Sequence, residues 1–222
     1  MRKLSVLLLV LVCVCHTEAA APSAQDILAG VRLQQATQSV DLEGQLRQDQ
    51  LVVPFRLTQN GATIRYTFTN PDEALQLRLG DSDSRLEEIT SDGVDKIAGP
   101  EFDQTVRGTA ITYADLALKF LYWPKARVLG EDSIRTRLCW KLQLQAPSRK
   151  SQYSNVFLWV DQQGGALMRM DGYDWNAKLA KRFEVVSGQK IKGRWFLKQM
   201  RIEQFDPASG KVQARTYLEI KK

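Results

Sequence analysis

The sequence predicts a mainly β protein (α+β class): a single incomplete antiparallel β-barrel of about ten or eleven strands, with an N-terminal helix and a mid-chain lid or plug helix. Three observations predict this fold. Apolar and polar residues alternate with a period of two from Ser39 almost to the end of the 222-residue chain, as in strands with one buried face. Short turn sequences separate the alternating runs. No linker, repeat or low-complexity tract divides them, so one strongly curved sheet is the simplest architecture.

The start of the chain has the features of a secretion signal. Met1-Arg2-Lys3 is basic, Leu4 to Cys15 is apolar, and Thr17-Glu18-Ala19, followed by Ala20 and Ala21, supplies the small residues of a cleavage site after Ala19. This order is typical of a cleaved signal peptide, and the apolar run is shorter than the roughly 20 residues that cross a bilayer. We therefore expect a signal peptide at 1–19, one domain at 20–222 and export to the periplasm.

The histidine and cysteine content excludes most catalytic chemistry. The single histidine, His16, and two of the three cysteines, Cys13 and Cys15, lie in the predicted signal peptide. After cleavage one thiol remains, Cys139, so a Ser-His-Asp triad, a Cys-His pair, a histidine-ligated zinc site and an intramolecular disulfide are excluded. Bulky Val12 stands where a small residue precedes a lipidated cysteine, which argues against a lipid-anchored form. We expect no catalysis, no cofactor and no metal.

The elements follow in order. Ser23 and Asp26 form a capping box that begins a helix at 24–38, with Ile27, Leu28 and Val31 on one face. Asn60-Gly61 is a strong hairpin signal between two of the strands that come next. Twelve alternating runs, some of them short, give the prediction of about ten or eleven strands; they lie at 40–47, 51–58, 62–69, 74–79, 85–90, 94–98, 134–145, 153–160, 166–173, 179–186, 194–206 and 212–220.

The middle of the chain interrupts the alternation. Residues 99–109 have no clean period and are predicted as a loop, and Thr112 to Asp115 is a capping-box pattern. A short helix is predicted at 113–122, ended by Trp123-Pro124. It is apolar on too many sides for a surface helix. Because a barrel of this size leaves interior space to fill, the segment suits either a lid over an apolar ligand or a structural plug.

Several motifs in the second half resemble the LolA-like, outer membrane lipoprotein-sorting protein family, which includes the LolA/LolB-type periplasmic lipoprotein carriers. The element order is also similar. The stretches that carry the resemblance are Thr112-Tyr113-Ala114-Asp115-Leu116, Phe120-Leu121-Tyr122-Trp123-Pro124, Leu129-Gly130-Glu131-Asp132, Cys139-Trp140-Lys141-Leu142, Leu158-Trp159-Val160-Asp161 and the run from Met170-Asp171-Gly172-Tyr173-Asp174 to Lys178-Leu179.

The resemblance implies an incomplete barrel covered by helices, with an apolar cavity for acyl chains. In such carriers an interior arginine holds the lid closed, and Arg56 and Arg65 lie in the early strands where it would be expected. The candidate lipid-binding residues are the apolar ones of the mid-chain segment and the strand that follows: Leu116, Phe120, Leu121, Trp123 and Trp140.

The predicted function is a lipid- and lipoprotein-binding carrier of the cell envelope that shields acyl chains during lipoprotein transport to the outer membrane. One long acyl chain in water costs on the order of 10 kcal/mol, so a carrier must bury most of it. No nucleotide-binding loop is present, so energy would come from partners: an inner-membrane transporter and an outer-membrane acceptor. The alternative is a non-catalytic envelope sensor or protein-binding module on the same fold.

Charge and aromatic content point to contact surfaces. The formal net charge is +6, and a basic run from Lys178 to Lys198 suits transient contact with an anionic membrane, although ordinary solvated strand faces and hairpin tips are the favoured explanation. Trp159 and Trp175 are candidates for a rim or contact surface. We expect a monomer with no nucleic-acid partner, because exported proteins rarely meet nucleic acid.

One enzymatic alternative depends on acidic residues. Asp171, Asp174 and Glu184 cluster in the later strands, where two carboxylates would suffice for glycoside hydrolysis. Their spacing does not require such a pair.

Overall fold

Thirteen antiparallel strands form one open sheet in a computed structural model that describes residues 21–191 and 193–221. The strands are β1 Ser39–Gln48, β2 Leu51–Asn60, β3 Thr63–Phe68, β4 Glu73–Leu79, β5 Ser84–Thr90, β6 Gly93–Lys96, β7 Lys125–Ile134, β8 Arg137–Gln145, β9 Asn155–Asp161, β10 Leu167–Tyr173, β11 Leu179–Ile191, β12 Arg194–Phe205 and β13 Val212–Ile220. Their order across the sheet is β6-β5-β4-β3-β2-β1-β13-β12-β11-β10-β9-β8-β7. The predicted mainly β class and incomplete barrel are confirmed, with two or three more strands than expected.

The sequence missed β7. Its register with β8 shifts between Val128 and Gly130, and Gly130 has a positive φ of 127°. This bulge disturbs the alternation from which strands are recognised. The β7–β8 turn was missed too, because Ile134 and Arg137 pair across it and Arg135 adopts a φ of 55°. The hairpin predicted at Asn60-Gly61 is confirmed, and Gly61 supplies the positive φ of its turn.

The N-terminal helix α1 spans Ala24–Ala36, close to its predicted bounds. The predicted capping box is present, since Ser23 accepts a hydrogen bond from the backbone N–H of Asp26 and the Asp26 carboxylate accepts one from Ser23. The buried face of α1 consists of Ala24, Ile27, Leu28 and Val31. That face packs on the inner residues of β8 to β10, which include Leu142, Leu144, Val156, Leu158, Val160 and Met170.

Residues 97–124, which we call the crossing segment, join the two edge strands β6 and β7. The segment contains two 3-10 turns at Gly99–Asp103 and Val106–Gly108, helix α2 at Tyr113–Leu116, and a 3-10 turn at Lys119–Tyr122. The single helix predicted at 113–122 is therefore wrong. Leu118 breaks it with a φ of 51°, a conformation that a leucine adopts only when its surroundings hold it there.

Two apolar clusters fill the concave side of the sheet. One lies under α1 and also takes in Phe120, Leu121 and Trp123. The other lies under the first part of the crossing segment, where Val106, Ile111, Tyr113 and Ala117 pack on inner residues of β1 to β5, β12 and β13. Leu118 and Phe183 pack against both clusters. Among the described residues, none of the helices has the length and apolarity that a bilayer-crossing helix requires.

Candidate functional site

A buried polar cluster centred on Asp115 fastens α2 to the sheet. The Asp115 carboxylate accepts hydrogen bonds from Lys181 Nζ at 2.6 Å, Tyr153 Oη at 2.6 Å and Gln152 Nε2 at 2.9 Å. The backbone N–H and hydroxyl of Thr112 donate two more at 2.8 and 2.9 Å. The side chains of Asp115 and Lys181 are only 1% and 7% exposed. Five donors and one opposite charge compensate the carboxylate, as a buried ion requires.

Tyr153 is held in the protonated form that this cluster needs. Burial, together with the neighbouring Asp115 carboxylate, raises the pKa of Tyr153 well above its ordinary value of 10. The phenol therefore remains a hydrogen-bond donor at physiological pH.

Two arginines hold the rest of the crossing segment. Arg107 forms an ion pair with Glu73 at 2.9 Å and donates to the backbone carbonyls of Asn70 and Pro71 in the β3–β4 turn. Arg32 of α1 donates to the carbonyl of Leu121 at 2.5 Å. Both contacts join a cation to backbone oxygens, so they fix the path of the segment whatever side chains line it.

The two arginines predicted to hold a lid lie elsewhere. Arg56 is exposed and pairs with Asp41, with Nε–Oδ1 and Nη2–Oδ2 distances of 2.8 and 2.5 Å. Arg65 donates to Gln76 Oε1 at 2.6 and 3.0 Å. Both alternate with inward-facing neighbours and so lie on the convex face, away from the crossing segment. Lys181 occupies the interior position instead. It lies two residues before the apolar Phe183 on β11, so the two side chains share one face of the sheet, and this alternation is the sequence signal that indicates its interior position.

The structure divides the five candidate lipid-binding residues between the two apolar clusters. Phe120, Leu121 and Trp123 are buried together in the cluster under α1. Leu116 is half-buried in the other cluster, where it lines an apolar cavity of only about 10 Å³ with Phe55, Tyr66, Phe68 and others. Such a cavity holds no more than one water-sized sphere. Trp140 is half-buried and packs against the cluster that contains Phe120, Leu121 and Trp123.

Trp140 lines an open groove of about 370 Å³ between α1 and the sheet. Its volume lies in the range of small-molecule sites. The lining residues are Ile27, Gly30, Val31 and Gln34 of α1, Trp140 and Val160 of the sheet, and Asp161, Gln162, Gly164 and Gly165 at the β9–β10 turn. Sequence reasoning placed only Trp140 among them. Ile27 and Val31 were predicted as part of the buried face of a helix, and Gly30 and Gln34 were not singled out.

Two details of the groove bear on binding. A Cβ atom built on Gly30 has no neighbour within 4 Å, so the helix leaves space there. The Gln34 Oε1 atom is buried and has no hydrogen-bond partner among the described residues. The groove therefore has an apolar wall on α1 and the sheet and a polar end at the β9–β10 turn.

The carboxylates of the enzymatic alternative all have partners on the convex face or in turns. Asp171 binds Arg169 and Arg182 through four hydrogen bonds of 2.6–3.0 Å. Glu184 lies 3.6 Å from Arg135 and 3.7 Å from Arg201. Asp174 accepts backbone N–H groups of its own turn. None of the three is placed as a free acid or base.

The remaining sequence candidates are structural as well. Trp159 is 5% exposed and is sandwiched between Lys141 and Arg169, while its Nε1 donates to Asp132 at 2.8 Å. Trp175 donates to the Ser151 carbonyl. Cys139 is buried, and burial raises the pKa of its thiol, which lowers its reactivity. Within the described ranges, no three His, Cys, Asp or Glu side chains are grouped to hold a metal ion.

Replacing Asp171 by asparagine is expected to weaken the acid sensitivity of the fold. Burial alone would raise the pKa of Asp171, but hydrogen bonds from Arg169 and Arg182 lower it below its ordinary value of 3.8. A lowered pKa stabilises the native state above about pH 4, and this contribution is lost as the pH falls through the lowered value. Urea unfolding from pH 7 to pH 2 measures the free energy of unfolding. For Asp171→Asn this free energy should be about 2 kcal/mol lower than for the native protein at pH 7 and should fall less steeply as the pH decreases.

Asp41→Asn is the matched control, because Asp41 also pairs with an arginine on the convex face but is exposed. Exposed pairs contribute little. An equal change of the acid limb in both variants would contradict the assignment to Asp171.

Comparisons with known proteins agree with this geometry. A family model described as "Uncharacterized protein" matches residues 90–222. The chain has no significant match among curated proteins.

Three solved structures share the fold over about nine-tenths of the chain. A putative outer membrane lipoprotein-sorting protein domain from Vibrio parahaemolyticus has a TM-score of 0.68 at 13% identity, covering 90% of each chain. A DUF1329 family protein from Desulfovibrio piger has 0.67 at 19%, again covering 90% of each chain. A LolA superfamily protein from Nitrosomonas europaea has 0.62 at 17%, covering 91% of this chain and 93% of its own. At the level of fold, the resemblance predicted from the sequence is confirmed.

Proposed function

We propose that this chain, which belongs to the family of the matched model and has the LolA-like fold, binds acyl chains of a lipid or lipoprotein in the bacterial envelope. It would shield them during transfer to the outer membrane. The observation that carries the proposal is the open groove of about 370 Å³, whose apolar wall of Ile27, Val31, Trp140 and Val160 continues into the cluster under α1.

The groove suits one end of an acyl chain rather than a whole lipid. Each buried methylene contributes about 0.8 kcal/mol, so even a partly inserted chain binds measurably. Deeper insertion requires α1 and the turn at Lys119–Tyr122 to move apart from the sheet, since Phe120, Leu121 and Trp123 fill that space.

The proposal includes a place in the cell and a set of partners. Residues 1–19 would be a cleaved signal peptide, 20–222 the LolA-like domain, and the periplasm its location; residues 1–20 lie outside the described part of the chain. An energised inner-membrane transporter would load the protein and an outer-membrane acceptor would unload it, with transient membrane contact at both steps. The protein would act as a monomer.

Filling the groove from Gly30 tests the proposal. Gly30→Trp is expected to weaken palmitate binding roughly tenfold or more, because the indole would occupy space that is empty in the native protein. Gly30→Ala is the matched control: it should bind palmitate like the native protein and gain about 0.5–1 kcal/mol of stability, since glycine is unfavourable within a helix. Displacement of a fluorescent fatty acid gives the affinities, and urea unfolding the stabilities.

The outcomes separate the two functions that the sequence left open. Undiminished palmitate binding by Gly30→Trp would show that the groove is not the site. No binding by any of the proteins, and no co-purified lipid in native mass spectrometry, would favour a protein-binding module. The close packing around the 10 Å³ cavity under α2 is the observation that favours this second candidate.

A further inference from the structure

The long β11–β12 hairpin carries an exposed tryptophan at its tip. Trp195 is 71% exposed, the highest value among the exposed large apolar side chains of the described residues. Lys190 pairs with it across the hairpin, and the Lys190 ammonium lies 5.3 Å from the indole centroid. Trp123 and Trp159, by contrast, are almost fully buried. Trp195 is also the largest of these exposed side chains, so it makes the hairpin tip apolar.

The same hairpin concentrates positive charge. No acidic residue occurs from Val185 to Ile202, a stretch that contains five basic residues. Three of these, Lys190, Arg194 and Lys198, are exposed and form no ion pair with any residue that the structure describes. Elsewhere on the convex face, arginines such as Arg182 and Arg215 are neutralised by neighbouring carboxylates. The hairpin tip thus carries several positive charges that no acidic residue neutralises, and they surround the apolar ring of Trp195.

The strand order places this tip at the groove end of the sheet. Successive antiparallel strands alternate in direction, so the β7–β8, β9–β10 and β11–β12 turns lie at one end, together with the C-terminus of α1. The β9–β10 turn forms part of the groove wall through Gly164 and Gly165. A surface that bound the hairpin tip would therefore face the groove end of the molecule.

We propose that the tip of the β11–β12 hairpin docks on an anionic lipid bilayer. Trp195 would enter the interfacial layer that tryptophan prefers, and Lys190, Arg194 and Lys198 would contact lipid phosphates. This inference rests on the proposed function, since it names the element that makes the transient membrane contact. Docking through this tip would bring the groove end of the protein to the bilayer. The groove could then take an acyl chain from that bilayer or deliver one to it.

Vesicle flotation tests the docking separately from acyl binding. The purified protein should float with phosphatidylcholine vesicles that contain phosphatidylglycerol, and not with phosphatidylcholine alone or at high salt. Trp195→Ala should bind roughly tenfold more weakly. The combined change of Lys190, Arg194 and Lys198 to glutamine should cost about fivefold per residue, on the order of a hundredfold in all.

The matched control is a triple variant at the opposite end of the sheet. It changes to glutamine the exposed lysines Lys125, Lys150 and Lys211. It should float like the native protein. Equal losses in the two triple variants, native-like flotation by Trp195→Ala, or no flotation at all would each overturn the proposal. Trp195→Ala should still bind palmitate and Gly30→Trp should still float, so that failure of one proposal is distinguishable from failure of the other.

Discussion

Replacing Asp115 by alanine is expected to destabilise the protein by about 3–5 kcal/mol, because Lys181 would remain buried without its counter-ion. Tyr153, Gln152 and Thr112 would also lose the acceptor that they share. Burial of an unpaired ammonium is far more costly than the loss of an exposed ion pair. Urea unfolding at pH 7, with circular dichroism as the readout, measures the difference.

A double-mutant cycle shows whether the loss comes from the ion pair. Lys181→Met removes the charge and keeps most of the aliphatic volume. When it is combined with Asp115→Ala, stability should recover relative to the sum of the two single changes by at least about 1 kcal/mol, since no buried charge then lacks a partner. Additive effects of the two changes would show that Asp115 and Lys181 are not coupled.

The Asp115 cluster also limits which part of the crossing segment can move. Helix α2 is fastened to β11 by Lys181 and to the β8–β9 connection by Gln152 and Tyr153. The following turn at Lys119–Tyr122 is linked to α1, through Arg32 and the Leu121 carbonyl, and to the β4–β5 turn by an exposed hydrogen bond of 3.0 Å from Tyr122 Oη to the Gly80 carbonyl. The break at Leu118 separates the two regions. If acyl chains enter under the covering elements, α1 and the Lys119–Tyr122 turn are therefore the parts that would open, with α2 as a fixed point.

The fold was more predictable than the site, for physical reasons. Period-two alternation reports which face of a strand is buried, and it found nearly every strand. It failed at β7, where the bulge at Gly130 shifts the phase. The helix at 113–122 failed because its apolar pattern is local, whereas the φ of Leu118 is set by packing against both clusters.

The polar contacts of the site were also only partly predictable from the sequence. Arg56 and Arg65 were selected as lid-holding residues because of the strands in which they lie. Their positions within the apolar–polar alternation of those strands place them on the convex face instead. Lys181 could have been found, because it alternates with Arg182 and shares the inner face with Phe183. Arg32 and Arg107 bind backbone carbonyls of distant segments, and side-chain patterns carry no information about such contacts.

Replacing Phe120 by alanine is expected to cost about 3–5 kcal/mol, because the ring is 6% exposed within the cluster under α1 and its removal leaves a cavity. Phe102→Ala is the matched control in the same segment. Phe102 is only half-buried and packs against the other cluster, so its loss should be smaller. Thermal and urea unfolding give both values.

Comparing Phe120→Ala with the native protein also decides between a lid and a plug. If the Lys119–Tyr122 turn lifts and an acyl chain takes the place of Phe120, saturating palmitate should stabilise Phe120→Ala more than the native protein, since the cavity removes the need to displace the ring. A ligand at a hundred times its Kd adds about 2.7 kcal/mol, enough to restore much of the loss. If the segment is a fixed plug, palmitate should stabilise the native protein and Phe120→Ala equally, and binding would be confined to the open groove beside Trp140.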